Sequence, residues 1–523
     1  MSSNNRSILD LNFLQKISVA SGHFINDITA SIWFSYYLLY IQEVAGLSSD
    51  LGGGLMLLGQ IVDAVSTPLV GYLADRAWGS GGCGFGRLKT CHLIGVAMAV
   101  ISFPVIFCPP IGLGNNSSQT AIMAYYIPFI IIYEVSWAAV QISHLAYIPK
   151  TNPDMFVRTE ILSIRYVLMV IANVIVFLVT WYSVGMEKNC TIDKGDVLVF
   201  QDLAAIAMGI GLLTALFFYI TTKEYDDQDV RDAVIIWRRE EAEKIQSNSS
   251  QQPTSSERTP LLNSEGQPQP QPRISSSNKR ISLSTKNLNP GKPNMTTLDW
   301  VKSPQFFMVA VVYIPGRLII NVPQAFLPLY LQKTLHLPCK MLAICPLTYF
   351  LSGLLVATTM KKLAKWVGKQ MSFGFGIVLN VVGASLILWG EWGEGSFLRE
   401  AGIYGVFALL GGGASAGMVT GLSITADLIG NNVESSAVVY GFMSFCDKLT
   451  CGVAIMLISL FTPEGERATA FFRDVVAFSC LGCSLLAVFG LCCITILIFL
   501  KGVQERQQST LIDSGRNSHT ENC

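Results

Sequence analysis

Long apolar runs alternate with short polar stretches along most of this chain of 523 residues. A helix that crosses a membrane needs about 20 mostly apolar residues, and twelve stretches reach that length. They are residues 12–41, 51–75, 91–110, 121–148, 160–184, 201–222, 304–331, 341–360, 370–390, 399–428, 435–461 and 474–500. The pattern therefore predicts an all-α membrane protein with twelve transmembrane helices in two groups of six.

A long polar stretch separates the two groups. Residues 223–303 are rich in Ser, Gln, Pro and charge, as in SNSSQQPTSSERTP, and such a composition cannot bury a core. We expect most of this stretch to be disordered, with a charged surface helix over residues 226–245. The predicted parts are an N-terminal six-helix bundle at 1–222, a linker at 223–303, a C-terminal six-helix bundle at 304–500 and a tail at 501–523.

Composition supports a membrane location and narrows the function. The chain is 51% hydrophobic and 14% charged, whereas soluble domains carry about 25% charged residues. Its formal net charge is zero, so nothing indicates binding to nucleic acid. No Walker A sequence and no nucleophile–base grouping is visible, and the histidines lack metal-ligand spacing. We therefore expect neither an ATP-driven pump nor an enzyme, and no metal or other cofactor.

The distribution of lysine and arginine predicts which way the helices cross the membrane. The linker is densely basic, and basic segments stay on the cytosolic side; they include Arg231, Arg238, Arg239, Lys244, Arg258, Arg273, Lys279 and Arg280. With six helices in each group, both termini are then also predicted to be cytosolic. Three glycosylation sequons fall on the opposite side, at Asn115, Asn116 and Asn189.

The linker also contains a sequence that resembles a sorting signal. Glu257, Leu261 and Leu262 match the acidic dileucine pattern [DE]-x-x-x-L-[LI], which cytosolic sorting adaptors read for delivery to lysosomes. Its position in an exposed cytosolic stretch is the context that such a signal needs. We therefore predict that sorting adaptors bind the linker.

The second apolar run contains an isolated carboxylate and ends in a charged turn. Asp63 lies within a hydrocarbon-length segment, where a charge costs about 2.5–3.5 kcal/mol on insertion scales. Such a residue usually serves ions, protons or substrate. The run ends in GYLADR at 71–76, and GRLK follows at 86–89 after a short loop.

This turn resembles the loop motif of the major facilitator superfamily, G-x-L-A-D-R-x-G-R-K, with an insertion. Asp75, Arg76 and Arg87 are the charged positions that match. The resemblance implies a conformational latch, in which Asp75 caps or pairs with a neighbouring helix end in one state and releases it in another.

Within that superfamily, three stretches resemble the glycoside-pentoside-hexuronide:cation symporter group. They are DAVSTPLVG at 63–71, the pair Arg158 and Arg165, and GFMSFCDKL at 441–449. Over most of the chain, GHFINDITASIWFSYYLLY, QISHLAYIP and VYGFMSFCDKL are similar to a vertebrate branch of the superfamily. That resemblance implies a substrate site between two rocking bundles and import of L-cysteine from the cytosol into lysosomes and melanosomes, which affects pigmentation. Nothing in the composition names the substrate.

Polar residues of the first apolar run share one helix face. His23 and Asp27 are four residues apart, and Asn26 lies three from His23. We expect Asn26 and Asp27 to contact substrate, with Asp27 meeting an ammonium group. An unperturbed imidazole titrates near pH ~6.5, which makes His23 a candidate for proton coupling. The alternative is a hydrogen-bonded pair that only stabilises helix packing.

The second and eleventh runs carry the charges that the resemblance places across a cavity. The symporter group has a second acid four residues after Asp63, where this chain has Thr67. One carboxylate with a hydroxyl is a poor sodium site, so proton coupling stays open beside sodium coupling. Lys448, which follows Asp447, is predicted to pair with Asp63 as a switch. A static brace between the bundles is the alternative.

Three further residues are candidates for substrate contact. Arg317 lies deep in the seventh run, and its planar guanidinium suits the carboxylate of an amino acid. Its alternative partner is an acid or a carbonyl of the protein itself. Gln141 in the fourth run and Tyr440 in the eleventh are predicted to line the cavity.

Two other functions remain open. One is a sugar- or glycoside-type cation symporter, which the loss of the second acid at Thr67 disfavours. The other is a receptor or scaffold without transport, whose linker recruits cytosolic partners. Charges within facing helices favour transport, because a scaffold has no use for them.

Overall fold

The computed structural model describes residues 11–76, 85–113, 117–184, 192–225, 227–250, 300, 302–393, 395–429, 436–465 and 467–520, and this part is helical without a β-strand. The first group of helices is α1 (Phe13–Ser21), α2 (Phe24–Leu39), α3 (Ser49–Arg76), α4 (Arg87–Ile106), α5 (Gln119–Thr151), α6 (Met155–Val184), α7 (Val197–Thr221) and α8 (Asp227–Ser250). The second group is α9 (Pro304–Leu329), α10 (Met341–Val367), α11 (Lys369–Trp389), α12 (Ile403–Ile429), α13 (Ser436–Leu460) and α14 (Arg467–Thr520). Short π-helical segments at Tyr40–Val44, Tyr330–Thr334 and Leu398–Gly402 extend α2 and α9 and precede α12.

The helices follow the twelve predicted apolar runs. Among the described residues, eleven helices are long and apolar enough to cross a membrane. The first run is the exception, because it is divided into α1 with 9 residues and α2 with 16. Helix α8 lies where a charged helix was expected within the linker, and α14 continues to Thr520, beyond the apolar run that predicts it.

The division between α1 and α2 lies at Gly22 and His23. The Gly22 N–H bonds to the Val19 carbonyl, which tightens the last turn of α1. Two imidazoles from other helices then donate to main-chain carbonyls at the break: His144 Nε2 to Val19 at 2.8 Å and His92 Nε2 to Gly22 at 2.8 Å. Within a membrane, an interrupted helix persists only where its freed carbonyls find such partners.

Gly22 is required for this arrangement. A Cβ atom at this position would lie 2.7 Å from His144 Cδ2 and 3.0 Å from the Phe218 ring. The absence of a side chain therefore lets α5 and α7 approach the interrupted helix closely enough for the imidazole contact.

Three pairs of helices join the N-terminal and C-terminal halves: α3 with α13, α6 with α10, and α2 with α9. At the first contact, a Cβ atom on Gly53 would lie 2.5 Å from Ser459 Cβ, and one on Gly452 would lie 2.9 Å from Gln60 Cβ. Small residues let membrane helices pack this closely. At the second and third contacts, apolar packing dominates, and the main buried cluster continues across both halves.

The two halves are internally similar at the ends of α2 and α9. The π-helical segments there read YIQEV at 40–44 and YLQKT at 330–334. Repeats of this kind, related by an axis along the membrane normal, occur in transporters built from two equivalent bundles. The shared sequence and the shared irregular geometry make Tyr40 equivalent to Tyr330 and Glu43 equivalent to Lys333.

At the opposite end of the N-terminal half, α4 and α7 cap each other. The Glu224 carboxylate accepts the main-chain N–H groups of Leu88 at 3.1 Å and Lys89 at 2.9 Å, which belong to the first turn of α4. Lys89 Nζ donates to the carbonyls of Tyr219 and Thr222, where α7 ends. Both charges lie where the helix dipoles favour them, so the start of the linker is held against the bundle.

Candidate functional site

One buried ion pair joins the two halves between α3 and α13. Lys448 Nζ lies 2.6 Å from Asp63 Oδ2 and donates to Thr67 Oγ1 at 3.1 Å. The Thr67 hydroxyl in turn donates to the Asp63 main-chain carbonyl at 2.8 Å. The predicted pairing of Asp63 with Lys448 is therefore present, and Thr67 lies within it. Because α3 and α13 belong to different halves, any separation of the halves at this level breaks the pair.

A second buried ion pair lies entirely within the C-terminal half. Arg317 Nε in α9 is 3.1 Å from Asp447 Oδ2 in α13. The guanidinium therefore has the protein acid as its partner, which was the alternative to a substrate carboxylate. Arg317 Nη1 lies 3.9 Å from Met418 Sδ, and the Arg317 side chain remains 30% exposed.

The two ion pairs are linked through the chain. Asp447 and Lys448 are consecutive, and consecutive residues of a helix point about 100° apart. One side chain therefore reaches α9 while the other reaches α3. Rotation or displacement of α13 acts on both pairs together.

Immediately after the break in the first run, His23 and Asp27 contact each other across one turn of α2. His23 Nδ1 is 2.9 Å from Asp27 Oδ1, and both residues are buried. His23 Nε2 and Asp27 Oδ2 have no hydrogen-bond partner among the described residues. Each side chain of the pair therefore has one polar atom, His23 Nε2 or Asp27 Oδ2, that could bond to a further group.

Arg165 in α6 is near enough to this pair to act on it electrostatically, but it is not bonded to it in the described part of the chain. Its guanidinium acts electrostatically on Asp27, yet no ion pair between them occurs among the described side chains. Arg165 Nε, like Asp27 Oδ2, is buried without a hydrogen-bond partner in that part of the chain. The neighbouring helices α2 and α6 therefore carry a carboxylate and a guanidinium that act on each other electrostatically, and each keeps one buried atom without a partner in the described part of the chain.

Two predicted contact residues serve helix packing in this structure. Asn26 Nδ2 donates to the Trp137 main-chain carbonyl at 3.0 Å, which fixes α2 against α5. Gln141 Oε1 accepts the Trp137 indole N–H at 3.1 Å. Asn26 directly precedes Asp27 in α2, and Gln141 lies one turn after Trp137 in α5. Both amides bond to Trp137, so they help to hold α2, with His23 and Asp27, against α5.

Glu134 is a buried acid that the predicted site does not include. It lies in α5, is 2% exposed, and its Oε1 atom has no hydrogen-bond partner among the described residues. A Cβ atom on Gly59 of α3 would lie 2.9 Å from that oxygen. The charged groups that act on Glu134 are Asp63 and Lys448. It is therefore electrostatically part of the ion pair between the halves.

A further ion pair closes one end of the contact between the halves. Lys333 Nζ lies 2.6 Å from Glu43 Oε1, and both residues lie in the π-helical segments that extend α9 and α2. A cavity of about 890 Å³ opens beside them. Its lining comes from both halves and includes Gln42, Asp50, Gln332, His336, Ser459 and Glu464.

Several predicted residues fall where no side chain is described. The structure gives the helical position but not the side chain of three of them: Tyr440 in α13, and Asp75 and Arg76 at the end of α3. Arg87, which is described, is the first residue of α4. The sequons at Asn115, Asn116 and Asn189 and the dileucine residues Glu257, Leu261 and Leu262 lie outside the described residues. Within the described part, no group of three or more His, Cys, Asp or Glu side chains is arranged to hold a metal ion.

Sequence reasoning missed the contacts that depend on distant helices. Nothing in the spacing brings His92 to Gly22 or Glu134 to Gly59. The pair of Glu43 with Lys333 had a usable signal, because YIQEV and YLQKT differ in the sign of the charge at the equivalent position. An alignment of the two halves of the chain with each other finds that position.

Comparison with known proteins identifies relatives over nearly the whole chain. The family described as MFS/sugar transport protein matches residues 18–247. The Homo sapiens protein named Major facilitator superfamily domain-containing protein 12 is 34% identical over 465 residues, which cover 87% of this chain and 86% of that protein. An uncharacterized symporter of Synechocystis sp. is 26% identical over 157 residues, covering 30% of this chain and 28% of its own.

A solved structure has the same fold. The xylose transporter XylE from E. coli, in a partially occluded inward-open conformation, superposes with a TM-score of 0.58 at 12% identity. The match covers 92% of this chain and 98% of that one. With its two six-helix halves and these relatives, the chain belongs to the major facilitator superfamily of transporters, in the family of the mammalian proteins named Major facilitator superfamily domain-containing protein 12.

Proposed function

We propose that this protein imports cysteine from the cytosol into lysosomes and melanosomes by alternating access. The observation that carries this proposal is an acid and a base on neighbouring helices, Asp27 in α2 and Arg165 in α6, which act on each other electrostatically and each keep one buried atom without a partner among the described residues. A free amino acid presents an ammonium and a carboxylate a few ångströms apart. Such a zwitterion gives the Asp27 carboxylate a cation and the Arg165 guanidinium an anion at the same time.

Arg317 supplies a second base for the substrate carboxylate. Its guanidinium uses Nε for Asp447 and Nη1 for a 3.9 Å contact with Met418 Sδ, and the side chain remains 30% exposed, so Nη2 can turn toward a ligand. A carboxylate that binds there draws Arg317 away from Asp447. Because Lys448 follows Asp447 in α13, this change reaches the ion pair with Asp63 that spans the two halves.

Alternating access then consists of breaking and remaking contacts in the middle and at one end of the interface. Lys448 with Asp63 joins α13 to α3, and Lys333 with Glu43 joins the extensions of α9 and α2. A buried ion pair adds little net stability, since desolvation offsets its attraction. It can therefore part when a substrate or a proton takes the place of one member.

The intracellular location and the orientation rest on the linker. Its basic character supports a cytosolic linker and cytosolic termini. Glu257, Leu261 and Leu262 support delivery to lysosomes and related organelles through sorting adaptors. Pigmentation follows from the melanosomal destination that the resemblance implies.

A sugar symporter is the second candidate. The matching family is described as MFS/sugar transport protein, and the superposed structure is a xylose transporter. A neutral sugar such as xylose carries no charge, so it leaves the Asp27 carboxylate and the Arg165 guanidinium without counter-charges from the substrate. Thr67 also removes the second acid of a sodium site. Both features favour the amino acid.

Uptake of labelled substrate by whole cells tests the proposal. Substitution of Glu257, Leu261 and Leu262 by alanine sends the protein to the cell surface, where the side proposed to be lumenal faces the medium. We expect labelled cysteine to exchange across the membrane above the level of cells without the protein, with no exchange of labelled xylose. Exchange of xylose but not cysteine would assign the sugar function instead.

Two substitutions locate the site in the same assay. Asp27→Asn and Arg165→Gln each remove one charge and keep side chains of similar size. Both are expected to abolish cysteine exchange, while Glu160→Gln, which changes an exposed acid paired with Lys16, leaves it intact. Exchange unaltered by both site substitutions would exclude the region between α2 and α6 as the substrate site.

A further inference from the structure

We propose that Glu134 is a proton-binding site, and that its proton is the cation exchanged during transport. This inference rests on the proposed function, because it names the coupling ion of that same transporter. In the symporter group the second helix carries two acids, and here Thr67 replaces one of them. Glu134 brings a second carboxyl to Asp63 from another helix, α5.

The surroundings of Glu134 suit a neutral carboxyl. The residue is 2% exposed and its Oε1 atom has no hydrogen-bond partner among the described residues. The oxygen lies against the main chain of Gly59, where a Cβ would be only 2.9 Å away, and the Trp33 ring closes the same space. An ionised carboxylate buried without partners carries a large desolvation penalty, whereas a carboxylic acid does not.

The count of charges leads to the same conclusion. One ammonium, Lys448, acts on two carboxyls, Asp63 and Glu134. Asp63 already has Lys448 at 2.6 Å and the Thr67 hydroxyl beside it. Two acids that share one counter-charge in a buried site do not both ionise. The proton therefore resides on the acid without partners, Glu134.

The remaining neighbours provide no second counter-charge. Helix α2 contributes Tyr37 and Trp33, α5 itself contributes Tyr133, and α4 contributes Phe103 through its ring contact with Tyr133. These are hydroxyl, indole and phenyl groups. In the described part of the chain, Lys448 is thus the cation that acts on Glu134.

The position of Glu134 links its proton to the motion of the halves. Gly59, on which Glu134 packs, precedes Gln60, which contacts Gly452 of α13 in the other half. Separation of α3 from α13 withdraws Lys448 from Asp63 and admits water next to Gly59 and Glu134. Hydration removes the penalty that keeps the carboxyl neutral, so the proton leaves on the side with the lower proton concentration. On the acidic side the carboxyl takes a proton from water, and the cycle moves one proton against one substrate.

Transport by purified protein in liposomes tests the coupling. With Glu134→Gln, whose side chain can neither bind nor release a proton, we expect labelled cysteine still to exchange against unlabelled cysteine, because that exchange moves no net proton. Accumulation driven by a pH gradient is expected to be lost, so that internal and external concentrations become equal. Glu160→Gln is the control and keeps both activities. Accumulation by Glu134→Gln at the wild-type level would overturn the proposal.

Infrared spectroscopy tests the bound proton without any substrate. The wild-type protein at neutral pH is expected to show the C=O stretching band of a protonated carboxyl, and Glu134→Gln to lack it. Asp63→Asn supplies a second variant, because Glu134 then becomes the counter-charge of Lys448 and loses its proton and the band. A band unchanged in both variants would contradict the assignment. Loss of the band in a protein that moves no cysteine would support the proton site and refute the proposed function.

Discussion

Glu43 and Lys333 occupy equivalent positions in the two halves of the chain, and they form an ion pair with each other across the contact between those halves. The separation of Lys333 Nζ from Glu43 Oε1 is 2.6 Å. Each residue is the fourth of a π-helical segment, in YIQEV and in YLQKT. An internal repeat thus carries opposite charges where its copies meet, and the resulting ion pair joins the two halves at this end.

Reversal of these charges is expected to change transport and then to restore it. Partly exposed ion pairs contribute about 0.2–1 kcal/mol, so Glu43→Lys or Lys333→Glu should shift the balance between closed and open states by up to about fivefold. The double variant with both changes restores the pair in reverse. Uptake of labelled cysteine measures the effect. If the double variant transports no better than the single ones, the pair does not act as a closure.

Lys16 and Glu160 offer a matched control for that experiment. They are 2.7 Å apart and join α1 to α6 within one half. Reversal of either charge is expected to leave transport unchanged, because the movement of one half against the other does not break this pair.

Variants of the ion pair between Asp63 and Lys448 should show whether the pair contributes to stability alone or also to transport. Removal of one member of a buried pair leaves an unpaired charge and costs about 3–5 kcal/mol. Lys448→Gln is therefore expected to lower the thermal unfolding temperature of the purified protein. Asp63→Asn is expected to lower it less, because Glu134 then becomes the counter-charge of Lys448. The double variant is expected to recover that temperature while transport stays low. Recovery of both would identify the pair as a static brace and exclude a switch.

Arg317 is expected to determine the affinity for the substrate carboxylate. Arg317→Lys keeps the charge but loses the planar fork, so KM for cysteine should rise about tenfold, equivalent to ~1.4 kcal/mol, with little change in kcat. Cysteamine, which lacks the carboxylate, is expected to compete poorly in the wild type. In Arg317→Ala the preference for cysteine over cysteamine should shrink. An unchanged preference would mean that Arg317 serves Asp447 alone.

Thr67 should decide whether sodium can be used. Thr67→Asp restores a second acid four residues after Asp63. The Thr67 hydroxyl that it replaces lies 3.2 Å from Asp63 Oδ1, so the new carboxylate would be close to the first. Two carboxylates hold sodium better than one, so a sodium gradient is expected to stimulate uptake in this variant and not in the wild type. Thr67→Asn, of similar size without the charge, is the control. Sodium stimulation of the wild type would contradict this interpretation.

Gly22 should be essential for the interrupted first helix. Its missing side chain lets His144 approach, since a Cβ would lie 2.7 Å from the imidazole. Gly22→Ala is expected to destabilise the protein by about 1–3 kcal/mol, measured as a lower thermal unfolding temperature. Gly209→Ala in α7 is the matched control, because nothing lies within 4 Å of a Cβ there. Equal unfolding temperatures for the two variants would show that the close approach carries no strain.

The apolar pattern predicted the helices well because a membrane imposes length and polarity on each segment separately. The runs at 51–75 and 201–222 correspond to α3 and α7 with shifts of a few residues at their ends. The break at Gly22 was invisible to that pattern. It depends on imidazoles from α4 and α5 that reach the main chain of α1, and only the packed bundle brings them there.

The residues of the candidate site likewise fall into those that the sequence could predict and those that depend on the packed helices. Asp63 and Lys448 could be paired from the sequence, because a resemblance to known transporters placed them on facing helices. Arg317 could be located but its partner could not, since the choice between Asp447 and a substrate depends on helix rotation. The spacing places Glu134 on one helix face with Gln141 and His144, but it did not assign Glu134 to the site, because its surroundings depend on the glycine of another helix, Gly59, against which it packs.

Exchange of labelled cysteine by the purified protein in liposomes tests the central claim most directly. We expect liposomes with the wild-type protein to exchange external labelled cysteine for internal cysteine well above protein-free liposomes. We expect Asp27→Asn and Arg165→Gln, folded as judged by their thermal unfolding, to fall to the protein-free level. Wild-type liposomes that exchange no more cysteine than empty ones would contradict the proposed function.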